Sequence, residues 1–284
     1  MALNKIKLFL QMVDIEHSLF GLPFAYLGAF LGARGIPTLE QLFWITVAMV
    51  SARTAALCLN RLIDRKIDQA NPRTAHWIMA SGKLPTGPIW ASVIVCFIIL
   101  FIAATQLNLL CLMLAPLAVI ILWIYSYTKR FTWLSHLFLG VAIGMGPVGG
   151  WIGVTGSFDW QPLILGAAVA FWIAGFDTMY ACQDIAFDRQ NKLFSIPARF
   201  GERGALFFSA GFHLLTVLCL IANGLVNKLG NWYFSGVGFI SILLLYEHVI
   251  VRPGNLRKVT LASFKINHYV GLIVFITALF DLLK

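Results

Sequence analysis

Nine apolar stretches, near residues 18 to 33, 41 to 60, 88 to 107, 109 to 127, 133 to 154, 162 to 182, 205 to 226, 232 to 250 and 261 to 283, set the pattern of the chain. Each approaches the ~20 residues that a helix needs to cross a hydrocarbon layer. The pattern predicts an all-α, polytopic membrane protein of nine transmembrane helices. The polar connections alternate in length. Asn108 between the third and fourth stretches, and residues 227–231 between the seventh and eighth, leave room only for turns. Residues 61–87 and 183–204 are long, mix basic residues with Gly and Pro, and read either as a mobile cover over a polar site or as plain solvated loops. With no low-complexity segment and no soluble boundary, residues 1–284 read as a single transmembrane domain.

Composition agrees: 60% of residues are hydrophobic, 12% are charged and the mean hydropathy is +0.83. Soluble chains carry about a quarter charged residues, so this surface faces lipid. A net charge of +9 would suggest nucleic acid in a soluble protein. Here seventeen Lys and Arg fall in the segments on one predicted side, against Arg34, Lys228 and Lys284 on the other, with Arg53 inside the second helix. By the positive-inside rule the N-terminus and the long connections are cytoplasmic and the C-terminus is outside, in a multi-pass protein of the cell membrane. The partner implied is the lipid bilayer, not nucleic acid. Asp14 and Glu16 interrupt the start before a span-length stretch, so the first helix reads as its own insertion signal. Cys58, Cys96, Cys111, Cys182 and Cys219 form no CxxC pair and read as packing residues.

Two polar patterns stand out against this background. In NRLIDRKID, Asn60, Asp64 and Asp68 recur every four residues at the end of an apolar run, which would put all three on one helix face. In FDTMYACQDIAFD, Asp177, Tyr180, Asp184 and Asp188 follow at i, i+3, i+7 and i+11, again closing an even-numbered helix. The recurrence hints at an old duplication. Carboxylates near membrane depth need a cavity, a partner or a cation. Hard oxygen ligands suit Mg²⁺, which shares its shell readily with phosphate oxygens. Arg61, Lys66, Arg73, Lys129, Arg130, Arg189, Lys192 and Arg199 would supply the rest of a diphosphate pocket. The plainer alternative is a set of ordinary interfacial charges.

A bundle with 23 Phe and 9 Trp suits a diphosphate carrying a hydrocarbon, a prenyl diphosphate, although such rings also serve as lipid-facing packing. The Tyr180 hydroxyl either bonds diphosphate oxygens, orients a carboxylate, or belongs to a structural tyrosine. Arg53 precedes Asn60 by two turns on the same face, roughly 10 Å deeper at ~1.5 Å per residue. It needs an anion, which makes it the candidate for an acceptor's carboxylate, with a structural pair to Glu16 or backbone carbonyls as the alternative. His17, His136, His213, His248 and His268 lack metal-ligand spacing and read as interfacial or packing residues. A secondary transporter using the paired acids for cation coupling is the rival class, although its site would lie nearer the midplane.

Asn60, Asp64 and Asp68 with Arg73 and Thr74 following, then Asp177, Tyr180, Asp184 and Asp188 with Lys192 and Ser195 to Gly201 following, resemble the UbiA superfamily of intramembrane aromatic prenyltransferases. YSYTKR at Tyr125 to Arg130 and HSLFGLPFAYLGA near the start extend the resemblance over most of the chain. It implies a nine-helix bundle that binds a Mg²⁺-diphosphate between two aspartate motifs and transfers the prenyl chain to an aromatic ring. Carried over, Asp64, Asp68, Asp184 and Asp188 become metal ligands, with Asn60 and Asp177 in support. The implied reaction joins a polyprenyl diphosphate to a hydroxylated aromatic acid, 4-hydroxybenzoate or dihydroxynaphthoate, on the way to ubiquinone or menaquinone. Two positions depart from the pattern. His76 and Trp77 stand where the family often has a second arginine, and Asp14, Glu16 and His17 stand where 4-hydroxybenzoate relatives often carry one.

Overall fold

The computed structural model describes residues 2–13 and 21–284, so Asp14, Glu16 and His17 lie outside the described residues, together with the start of the first predicted span and the side chain of Lys5. A first helix, α1 (Ala2–Val13), went unpredicted; its end buries Met12 and Val13 against Cys58, Leu59, Met79, Leu84 and Ile89. The spans then follow in order. They are α2 (Leu22–Ala33), α3 (Leu39–Ile63), α5 (Thr86–Leu107), α6 (Leu109–Tyr125), α7 (Ser135–Thr155), α8 (Gln161–Ala181), α10 (Ile196–Val226), α11 (Asn231–Ile250) and the last span, Leu261–Leu282, which ends in α12 (Val270–Leu282). Eight of these are long and apolar enough to cross a membrane, and α2 is a shorter apolar ninth. Two short helices, α4 (Arg65–Ala70) and α9 (Ile185–Gln190), follow the two acidic spans.

Side-chain caps start several helices. Thr38 and Gln41 form a capping box on α3. Asn108 accepts from the Cys111 N–H at 2.9 Å and donates to the Ile152 carbonyl at 2.7 Å, which closes a one-residue turn and ties it to α7. The last span does not begin as the regular helix its hydropathy predicts. Asn267 donates to the Ala262 carbonyl five residues back and to Glu247 Oε1 at 2.7 Å, and Leu261–Ile266 widens into a π-turn. The Asn267 amide oxygen in turn accepts from the Trp172 indole.

Helix α7 runs between α2 and α8 at backbone contact. A Cβ built on Gly28 would lie 2.0 Å from the Pro147 carbonyl oxygen, one on Gly150 would lie 2.0 Å from that of Ala25, and one on Gly140 would lie 2.1 Å from that of Ala170. Among apolar side chains in lipid such close approach is a main source of helix association. Around it Phe24, Leu27, Trp151, Leu165, Trp172, Leu220, Tyr233 and Val274 form the largest buried cluster. Between α3, α5, α6, α7 and α8 an apolar cavity of about 460 Å³ remains, lined by small residues such as Ala48, Ala52, Ala142 and Gly146.

Candidate active site

Both acidic spans end at their aspartates, so neither pattern is one continuous helical face. In the first, Arg130 donates to the carbonyls of Ser126 and Ile63, each at 2.9 Å, and so inserts into the hydrogen-bond ladder where α3 gives way to α4. Asp64 stands at the junction, 3% exposed. In the second, residues Cys182–Asp184 tighten to a 3₁₀ turn before α9, and the Gln183 amide takes the Tyr180 carbonyl at 3.1 Å. The predicted stripe survives as contacts: Asn60 Nδ2 donates to Asp64 Oδ2 at 3.0 Å.

Each motif is charge-compensated. Asp64 receives Lys129 Nζ at 2.7 Å and Arg130 Nη2 at 2.9 Å. Asp184 receives Arg73, whose Nε donates to Oδ1 at 2.8 Å and whose Nη2 donates to Oδ2, and Asn71 Nδ2 at 2.9 Å. Arg73 also donates to the Tyr180 hydroxyl at 2.9 Å. The segment after the first motif thus crosses to the second. Its route is fixed locally: Asn71 Oδ1 accepts the Arg73 N–H at 2.9 Å in an Asx turn, Thr74 donates to the Asp68 carbonyl at 2.9 Å, and Arg65 Nε donates to the Met79 carbonyl at 3.2 Å. Burial pushes the Arg73 guanidinium down, but its bond to Asp184 and that carboxylate's charge outweigh the burial and hold it above its ordinary value. Asp188 accepts from the Ser195 hydroxyl at 2.9 Å, the same hydroxyl that caps α10 through the Ala198 N–H.

Lys129 lies where the motifs converge. Its charge acts on Asp68 and Asp188 besides pairing with Asp64, and its carbonyl accepts the Phe194 N–H at 2.7 Å. Burial pushes the Asp68 carboxyl above the ordinary carboxylate range, by more than Lys129 and Arg61 pull it down. A set of four carboxylates and an asparagine oxygen, with a cation already among them, fits a hard divalent metal in chemistry. Among the described residues no three His, Cys, Asp or Glu side chains stand close enough to form a metal cluster by themselves. The donors come two to a motif, with Asp64 acting on Asp68 and Asp184 on Asp188.

Tyr180 and Asp177 both lie at this end of α8. Tyr180 packs edge-on against Phe264, and Asp177 Oδ2 lies 2.7 Å from His136 Nδ1. Arg53 is half-buried on α3, deeper than the acids, and its charge reaches Tyr125 together with those of Asp64 and Arg61. Lys192 is exposed, in a left-handed backbone conformation with φ of 54°, and its side chain pairs with no carboxylate among the described residues. The sequence reading leaves out Asn71, although Asn-Pro is a turn signature that marks it, and notes Trp77 only as a departure from the family pattern. His136, expected as an interfacial or packing residue, is buried and bonded to an acid 41 residues away.

The profile of the UbiA prenyltransferase family matches residues 21–269. A solved structure of a UbiA homolog from Aeropyrum pernix K1 is 34% identical, covering 94% of this chain and 98% of that one, with a TM-score of 0.86. A UbiA homolog from Archaeoglobus fulgidus, solved with DMAPP and Mg²⁺, shares the fold at a TM-score of 0.64 and 17% identity, over 94% of this chain and 98% of that one. The 4-hydroxybenzoate octaprenyltransferase of Pseudoalteromonas translucida is 28% identical over 256 residues, 90% of this chain and 87% of that protein.

Proposed function

The chain belongs to the UbiA prenyltransferase family, and from that premise we propose that it transfers a polyprenyl group from its diphosphate to a hydroxylated aromatic acid, 4-hydroxybenzoate or dihydroxynaphthoate. One observation carries the reading: Arg73 spans from the first motif to Asp184 and Tyr180 of the second, which gathers acids and cations at one end of the bundle. The name of the relative from Pseudoalteromonas translucida favours 4-hydroxybenzoate, and the missing arginine near the start favours the naphthoate. The whole chain acts as one transmembrane domain, with the acidic end in the cytoplasm by the positive-inside rule. Motifs at the helix ends rather than at mid-bundle depth leave no ground for the transporter reading.

Asp64, Asp68, Asp184 and Asp188 would hold Mg²⁺, with Asn60 and Asp177 in support. Bound there, the metal would draw electron density from the leaving diphosphate. Arg73, Lys129, Arg130 and Lys192 bind the diphosphate oxygens. Its hydrocarbon tail enters the apolar cavity, whose near end is formed by Ala52, Leu122 and Ala142 beside Tyr125. The allylic carbon–oxygen bond breaks, a ring carbon of the acceptor bonds to that carbon, and the ring releases its proton. The apolar walls keep water from the allylic carbon.

Purified protein with Mg²⁺, a labelled prenyl diphosphate and a panel of aromatic acids and naphthoates is expected to release diphosphate and form a prenylated ring. Release with no prenylated product across the panel would overturn the acceptor class. Neutralising Arg73, Lys129, Arg130 or Lys192 is expected to weaken diphosphate binding more than acceptor binding, and an equal loss for both would contradict the assignment. Arg53→Leu is expected to raise the apparent KM for the acid and to leave that for prenyl diphosphate little changed, because the guanidinium keeps its charge at depth and meets the acceptor's carboxylate. A loss of prenyl diphosphate affinity instead would make Arg53 a phosphate residue.

A further inference from the structure

We infer that Trp77 is a positioning residue that holds Arg61 ready for the diphosphate, an inference that rests on the functional reading above. The Arg61 guanidinium carbon lies 3.9 Å from the centre of the Trp77 ring, and that of Arg73 lies 5.6 Å from it. Arg73 in turn lies 5.1 Å from the Tyr180 ring. Arginine and aromatic ring therefore alternate from the end of α3 to the end of α8. The two guanidiniums repel, and the electron-rich indole between them reduces the cost of holding them together.

The two arginines are committed very differently. Arg73 directs Nε, Nη1 and Nη2 to Asp184 and Tyr180. Arg61 makes no hydrogen bond to a described residue, and its closest carboxylate oxygen is Asp68 Oδ2 at 4.0 Å. Its side chain is 24% exposed, so the guanidinium rests over the ring with N–H donors that no described residue takes. A guanidinium held over a ring, with N–H donors still uncommitted, suits bidentate contact with a phosphoryl group. Trp77 itself is held by the turn that follows Arg73, where its N–H donates to the Thr74 carbonyl at 2.9 Å. The loop that carries Arg73 to the second motif thereby also sets the plate under Arg61.

The test measures equilibrium binding of a non-reactive geranyl S-thiodiphosphate with Mg²⁺, together with the kcat and KM of turnover and the melting temperature. Trp77→Leu is expected to weaken binding roughly five- to thirtyfold with kcat little changed, the range set by a partly desolvated cation–π contact. Trp77→Phe is expected to restore most of that binding. Arg61→Gln is expected to weaken binding at least as much, and adding Trp77→Leu to it is expected to cost nothing further. Wild-type binding in Trp77→Leu, or losses that multiply in the double variant, would overturn the inference. So would a lower melting temperature with unchanged affinity, which marks a purely structural ring. Failure of the unaltered protein to bind the analogue at all would remove the functional reading itself, and this inference with it.

Discussion

Asp64→Ala and Asp184→Ala are each expected to leave a protein that still inserts in the membrane but turns over about a thousandfold more slowly. The basis is the proposed metal site, in which each carboxylate would hold a hard cation against the leaving group, and each is also the anchor for cations of its own. The loss of a ligand that neutralises the leaving group costs several kcal/mol of barrier, and each ~1.4 kcal/mol is tenfold in rate. Removing Asp64 also strands Lys129 and Arg130, and removing Asp184 strands Arg73. Some stability is therefore lost with activity, since a partly buried charge without its partner is destabilising. Asp64→Asn, which keeps the shape and a hydrogen-bonding oxygen, separates the two effects: it is expected to melt closer to the parent while remaining slow. Turnover and melting temperature, each measured with Mg²⁺ and in excess chelator, decide it. Full turnover in chelator would sink the metal requirement, and near-parental rates in either alanine variant would sink the role of that carboxylate.

Gly150→Leu is expected to yield no monodisperse protein, whereas Gly149→Leu one residue earlier is expected to purify like the parent. At Gly150 the obstacle is main chain: the added Cβ would fall 2.0 Å from the Ala25 carbonyl oxygen and 3.2 Å from the Ala29 nitrogen. No rotamer change relieves that, and α2 and α7 must part along their length, which places the variant among the exceptional losses beyond ~4–5 kcal/mol. At Gly149 nothing lies within 4 Å of the added carbon. Size-exclusion profiles of the two variants in detergent provide the comparison. Equal behaviour would mean that α2 and α7 do not meet at backbone distance.

The spans and both acidic patterns were legible because hydropathy over ~20 residues and a four-residue repeat are local signals. The start of α10 was not: RFGERG falls in the connection expected over residues 183–204, yet Ser195 caps a helix at Ile196 and the chain passes Gly201 with φ of 71° before continuing. The acids are visible in the sequence, but the cations that pair with them are not. Lys129, Arg130 and Arg73 hold Asp64 and Asp184 in contacts that span 65 to 111 residues of sequence. No periodicity encodes such a pairing. His136 on Asp177 was hidden for the same reason.

The separation of those ion pairs along the chain also sets an order in biogenesis. Lys129 and Arg130 emerge from the ribosome within the same half as Asp64, so the first acidic helix end is neutralised before the second half is made. Arg73 must wait for Asp184, 111 residues later. Until α8 is inserted, the Arg73 guanidinium lacks Asp184 and Tyr180, although local hydrogen bonds and the burial of Met79 and Leu84 against Cys58, Leu59 and Ile89 already hold the segment around it. The shielding of that guanidinium therefore reports the moment at which the second half docks, and a nascent chain stalled before residue 184 would leave it in water.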